Sequence, residues 1–266
     1  MRKEKTKRFH QFVRIERGPV NAAIIDLLTG NLFQVPVEVI DTFDSGDCRD
    51  IEEFVQVARE EKLIIEIDPG NWIPGDEFET ELEANEIYDV GIELHVEEGV
   101  DLDNLLGRFK GYAVDKVYFY GQTIPKTGFN GIEIESAEKN FEQCVRQATK
   151  NGDFCKTRES VVRFNLRYNS CWGTVIAVTA DGKIRPCIHS RTAIGDIDRD
   201  LDNIAGLLET FKPFWTCTKD KVKKCRDCEL RHICFDCREI PMRHGKRMDA
   251  PNPLCGYNPY SGKWET

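Results

Sequence analysis

The chain lacks a long apolar run, an excess of positive charge and, in its first half, nearly all of its cysteine: Cys48 stands alone before Cys144. No stretch approaches the ~20 apolar residues that a membrane-crossing helix requires. The opening "MRKEKTKRFHQF" is basic but leads into no apolar segment, so it does not read as a secretory signal. These two absences predict a soluble, cytoplasmic protein that engages no membrane. With 37 Lys and Arg against 46 Asp and Glu, the formal charge is -9. That is the wrong sign for a general nucleic-acid binder, which needs a net basic face. The sequence also has no phosphate-cradling Gly-rich loop, no zinc-protease motif and no Ser-His-Asp signal. Internal repeats and low-complexity segments are missing too.

What is present is enough for a core, since 40% of the 266 residues are apolar. The length suits one large domain or two to three small ones. Acid concentrates in residues 40 to 103. Base concentrates in 219 to 247, in "KDKVKK" and "RHGKR". The acidic run has no fixed spacing and reads as a solvated face. The basic loop "RHGKRMDAPNP" is a place where an acidic peptide would bind.

Element patterns predict an α/β protein. "QFVRIERGPVNAAIIDLLTGNLFQVP" reads as two or three short strands broken at Gly-Pro and Thr-Gly-Asn. Pro36 opens a short helix. "DIEEFVQVAREEKL" places Ile51, Phe54, Val55 and Val57 on or near one helical face with Asp50 as N-cap. "LIIEID" is a strand. After the turn-rich "DPGNWIPGDEFETELE" the pattern alternates: strand "EIYDVGIELHV", helix "VDLDNLLGRFKGYAV", strand "DKVYFYG", helix "SAEKNFEQCVRQATKNG" and strand "SVVRFNL". Such alternation predicts a small parallel sheet, too short for a complete barrel. The last third reads as poor in helix and rich in cysteine.

Eleven cysteines in an intracellular setting point to metal rather than disulfides, and the odd number fits complete pairing poorly. Cys171, Cys187, Cys225, Cys228, Cys234, Cys237 and Cys255 form a pattern. "TVIAVTADGKIRPC" reads as a hairpin that delivers Cys187, with Asp181 serving its turn. The Cys-x-x-Cys steps of "CRDCELRHICFDC" let two thiolates converge on one metal, and the long gaps let distant segments complete the shell. Four thiolates suit zinc or an iron–sulfur cluster. Seven are too many for one four-ligand site and one short of two. His189 and His232, close to these cysteines, are candidates for ligands or for donors that hold ligands in place. Cys48 and Cys144, with no cysteine near them in sequence, read as structural or incidental.

The spacing Cys171, Gly182-x4-Cys187, Cys225-x2-Cys228-x5-Cys234-x2-Cys237, then Cys255 resembles the SPASM domain of radical S-adenosylmethionine enzymes that modify ribosomally made peptides. It departs from that family at one step, "CFDC", where two residues intervene in place of three. The words "WTCTKDKVKKCRDCELRHICFDCR" and "CGYNPYSGKWE" are most similar to maturases of grasp-with-spasm peptide systems. The resemblance implies three units. Residues 1–75 would be a winged-helix-like peptide-recognition domain, 76–170 a partial βα domain, and 171–266 a SPASM-like iron–sulfur domain. It implies one or two 4Fe–4S clusters, with zinc the alternative. One cluster would lie on Cys225, Cys228, Cys234 and Cys255, the other on Cys171, Cys187 and Cys237. The latter's fourth ligand is left to Cys155 or Cys217, or to an iron open to water, a substrate thiolate or a non-cysteine side chain. The implied partners are a precursor peptide, adding as a strand to a sheet edge, and an ATP-grasp ligase or a radical enzyme. The Cys-x3-Cys-x2-Cys loop of radical enzymes occurs nowhere in the sequence. Unaided radical chemistry is therefore not expected, and a non-enzymatic peptide-binding adaptor is the alternative function.

Overall fold

A computed structural model describes residues 6–67, 91–126, 131–149 and 157–265 of this mixed α/β protein. The N-terminal segment forms a three-stranded antiparallel meander from β2 (Val13–Arg17), β3 (Asn21–Asp26) and β4 (Leu32–Pro36). Helices α1 (Val37–Ser45) and α2 (Glu52–Glu60) follow, and β5 (Ile64–Ile67) pairs antiparallel with β1 (Thr6–Phe9). Pro36 lies one residue outside α1, where its missing N–H costs nothing. Gly46, in the left-handed region at φ 85°, closes the helix by donating to the Phe43 carbonyl. Asp50 falls inside a 3-10 turn, Arg49–Ile51, that leads into α2, so it does not act as the expected cap.

Strand β3 is buried on both faces, which explains its unbroken "AAII". Ala22 and Ile24 pack with Ile40, Phe43, Val55 and Ala58 of the two helices. Ala23 and Ile25 face the opposite way, against Val162, Leu230, Ile233 and Tyr257. The N-terminal unit is thus seated on the cysteine-rich segment. At ~25 cal/mol per Å² of apolar surface, this second face is a strong part of the seat.

The central sheet has the order β11-β10-β9-β6-β7-β8. Strands β6 (Ile92–Glu97), β7 (Val114–Tyr120), β8 (Glu133–Ser136) and β9 (Val175–Val178) run parallel. Strands β10 (Lys183–Arg185) and β11 (Gly195–Asp196) add antiparallel at one edge. The expected parallel alternation is therefore present, and strands from both sides of residue 171 share one sheet. Helix α3 (Leu102–Arg108) links β6 to β7, capped by Asp101, whose carboxylate accepts from the Asn104 N–H at 3.0 Å.

Helix α4 (Phe141–Thr149) comes next. "SVVRFNL", expected as a strand, is instead part of helix α5 (Glu159–Arg167). Its adjacent valines suit a strand, but Val161 is exposed while Val162 and Asn165 are buried. That is a helical period, reinforced by the Glu159–Arg163 ion pair one turn apart. A four-residue helix α6 (Ile197–Asp200) precedes α7 (Ile204–Trp215). The last third is thus less poor in helix than expected. Ile204, Leu207, Leu208, Phe211 and Trp215 line one stripe of α7 and enter the sheet's core. Residues 68–90, which hold most of the acidic connection and the start of "EIYDVGIELHV", lie outside the described residues.

Candidate metal centre

The loop after α5 is built around Asn169. Its side-chain oxygen accepts from the N–H groups of Cys171 and Trp172 at 2.9 and 2.8 Å. Its amide donates to the Cys217 carbonyl and to Asp236, both at 3.1 Å. The Asp236 N–H donates to the Ser170 hydroxyl at 2.7 Å. Five polar contacts therefore pin Cys171 against the segment that carries Cys237, 66 residues further on. The two thiols are hydrogen-bonded to each other. Cys171 donates and its pKa rises, helped by burial. Cys237 accepts, also receives the N–H groups of Ile240 and Glu239, and its pKa falls.

Cys187 reaches the same place from the hairpin β9–β10, whose turn needs Gly182 at φ 74°. Asp181 serves that turn, accepting from Thr179, from the Lys183 N–H and from Arg185. Burial pushes the Cys187 thiol up to about 12, and the charges of Cys237 and Glu239 add to it. The Trp172 indole and the His189 N–H oppose the rise.

A second group forms around Cys225 and Cys228, joined by a 3-10 turn in which the Cys228 N–H donates to the Cys225 carbonyl at 2.9 Å. Burial pushes Cys228 up to about 12, with Glu229, Cys234 and Cys225 adding to it. Cys234 is raised by burial and by the charges of Asp236 and Cys255. Cys228 and Cys255 pack on the same apolar cluster, beside Leu230, Ile233 and Tyr257. Cys171, Cys187 and Cys237 thus lie near one another, and Cys225, Cys228, Cys234 and Cys255 near one another.

Two buried cations stand beside the second set. Lys219 is 8% exposed and Arg238 is 0% exposed, and both pair with the single carboxylate of Asp236, itself 2% exposed. Burial disfavours the Lys219 ammonium, yet Asp236 and the Cys234 and Cys225 charges outweigh it and raise its pKa. The buried carboxylates of Glu229, near Cys228, and Glu239, near Cys187, lie in the same region, and each keeps one oxygen without a partner among the described residues. The Arg238 Nε, buried near Cys225, has no hydrogen-bond partner among the described residues, and a sulfur acceptor of a bound cluster would satisfy such a donor. On donor chemistry, the residues fit a thiolate-held metal group.

Among the described residues, no three Cys, His, Asp or Glu side chains draw close enough to grip one ion. His232 does not face the thiols as a ligand. Its two ring nitrogens are taken by Glu16 at 2.6 Å and Asp220 at 3.0 Å. His189 packs its ring on Phe141 at 5.7 Å, and burial, with Lys139 and Arg243 nearby, lowers its pKa to about 4. Sequence reasoning missed Asn169, Trp172, Lys219 and Arg238. Within a cysteine-rich stretch the polar ones read as ordinary solvated residues, and only burial sets them apart.

In the N-terminal unit, a cavity of about 490 Å³ lies between β5 and the turn after β3, lined by His10, Phe12, Leu28, Ile65 and Ile67 among others. Among the described residues, β5 pairs with β1 alone and has no second strand beside it. No helix among the described residues is long and apolar enough to cross a membrane. Comparison of the chain with protein-family models, with curated proteins and with solved structures gives no match in any of the three.

Proposed function

We propose that the chain is a SPASM-like iron–sulfur protein of peptide maturation. It holds a ribosomally made precursor peptide on its winged-helix-like N-terminal unit and assists the peptide's modification through thiolate-held 4Fe–4S clusters. The observation that carries this reading is the grouping of seven thiols in two places, with buried cations beside them. When bound, the clusters would supply electrons to, or accept them from, a partner reaction. The chain's own residues hold the thiolates, set the cations of Lys219 and Arg238 beside them, and exclude water around Trp172.

Iron–sulfur ligation is preferred to zinc because the cysteine spacing resembles that of the SPASM domain. Strand β5, which pairs with β1 alone among the described residues, and the apolar cavity beside it support a peptide that adds as a strand, with backbone hydrogen bonds giving affinity and pockets giving register. The missing Cys-x3-Cys-x2-Cys loop assigns radical generation, where it is needed, to a partner enzyme. The same absence favours the second reading, a non-enzymatic adaptor with a structural metal domain.

The test is iron, sulfide and zinc content per chain after anaerobic purification. About eight iron and eight sulfide are expected. One or two zinc without iron would sink the redox reading and leave the adaptor. Incubation with precursor peptide and reductant, read by peptide mass, then separates maturation from simple binding.

A further inference from the structure

The first thiol set has three members from the spacing pattern, and the structure brings a fourth cysteine to it. Helix α4 docks on the cysteine-rich segment through one face. The ring of Phe141 packs against His189, and the Arg243 guanidinium lies 3.7 Å over that ring. At the other end of the helix, Asn252 donates to the Ala148 carbonyl at 3.3 Å. Cys144 lies three residues after Phe141 and four before Ala148, so it shares the docked face. His189 is two residues from Cys187, and Arg243 is in α8 (Glu239–Arg243), which starts two residues after Cys237. The face that carries Cys144 is therefore held between the two segments that carry Cys187 and Cys237.

Neighbouring groups agree with this placement: Tyr120, at the end of β7, lies near Cys187, Cys144 and Cys171, and Cys144 lies near Cys237. Cys217 is elsewhere: it packs with Val222, Cys225 and Met248, and its thiol approaches the Met248 carbonyl at 3.9 Å. Cys155 lies outside the described residues.

We infer that Cys144 is the fourth thiolate of the first set, so that Cys144, Cys171, Cys187 and Cys237 enclose one iron–sulfur site assembled from four separate segments. The inference rests on the iron–sulfur reading above. It gives that site a full complement of protein ligands and leaves no iron open to a substrate thiolate. The first cluster then acts in electron transfer or in holding α4 on the cysteine-rich segment, not in binding substrate.

The test uses the full chain, purified without oxygen, as wild type and as Cys144→Ala, Cys217→Ala and Cys48→Ala. The Cys144 variant is expected to lose about half of the iron and sulfide and one of two reduced-state EPR signals. The other two variants keep both. Full iron and both signals in Cys144→Ala overturn the inference. Should that variant fail to fold, iodoacetamide labelling of the wild type decides, read by peptide mass. Cys144 should resist labelling together with Cys171, Cys187 and Cys237, and react with them once iron is stripped. Labelling of Cys144 in the loaded protein overturns the assignment. Zinc in place of iron in the wild type would defeat the iron–sulfur reading alone, and the same labelling comparison would then keep or reject Cys144. A chain that takes up neither metal overturns both.

Discussion

The two thiol sets solve the same problem by different means. Three of the second set's four cysteines, Cys225, Cys228 and Cys234, lie within ten residues, Cys255 joins them from further along, and the buried cations Lys219 and Arg238 stand beside them. The first set is gathered across the fold from the loop after α5, the hairpin β9–β10 and the start of α8. It is held by uncharged donors: the Trp172 indole and the N–H groups of Glu239 and Ile240. A local set is cheap to close and is tuned by charge. A dispersed set costs more chain entropy to assemble and so needs the surrounding fold to be complete first.

The comparison is broken most forcefully at a ligand. Thiolate–metal bonds form only in the folded site, so metal affinity is folding free energy. Cys228→Ala is expected to cost the loaded protein about 3 kcal/mol or more, seen as a thermal midpoint about 10 °C lower. Cys48→Ala removes a half-buried thiol beside the N-terminal core and belongs to neither set, so it should cost about 1 kcal/mol. Equal thermal shifts in the two variants would defeat the ligand assignment. Stripping the metal with a chelator should erase the difference between them.

Next in size is Arg238→Met. It leaves the buried Asp236 carboxylate with Lys219 as its remaining cation, and breaking a buried pair costs about 3–5 kcal/mol. Part of that is offset because Lys219 stays. With a cation gone from beside Cys225, a cluster held by the second set would become harder to reduce, while one held by the first would change little. Spectroelectrochemical titration reads both. A shift of equal size in the two clusters would mean that charge does not distinguish them.

How much of this was legible beforehand follows the range of the contacts involved. Period-2 and period-3.6 patterns carried the meander, α1, β5, β7 and the β9–β10 hairpin, because each depends on neighbours within a few residues. "SVVRFNL" misled because two valines outweigh, locally, a helical stripe whose partners are β3 and the "LRHI" segment far along the chain. The cysteine spacing is a signal the sequence carries by itself, whereas nothing near Cys144 in sequence shows that Phe141 of the same helix packs on His189 and Arg243. Lys219 and Arg238 look like surface charge until their burial is seen.

Trp172→Phe sharpens the contrast from the first set's side. The ring is fully buried and packs 5.7 Å from Phe214, so Phe retains most of the volume. What is lost is the N–H beside Cys187. The expected cost is about 1–2 kcal/mol, with the first cluster's potential lowered and the second's unchanged, the mirror of Arg238→Met. If iron content and both potentials stay at wild-type values, the indole is a packing residue only.

The smallest effect is expected where the sets meet. Ser170 precedes Cys171, and its hydroxyl accepts from the Asp236 N–H, one residue before Cys237. Asp236 in turn anchors the cations of the second set. Ser170→Ala leaves a half-buried N–H without its acceptor, worth about 1 kcal/mol. Because the bond touches the anchor of both sets, its loss should lower the thermal stability of the loaded protein slightly and move both potentials in parallel. Combined with Arg238→Met it should be non-additive, since both act through Asp236, whereas with Cys48→Ala it should add. Additivity with Arg238→Met would mean that the two thiol sets are energetically separate in spite of their shared aspartate.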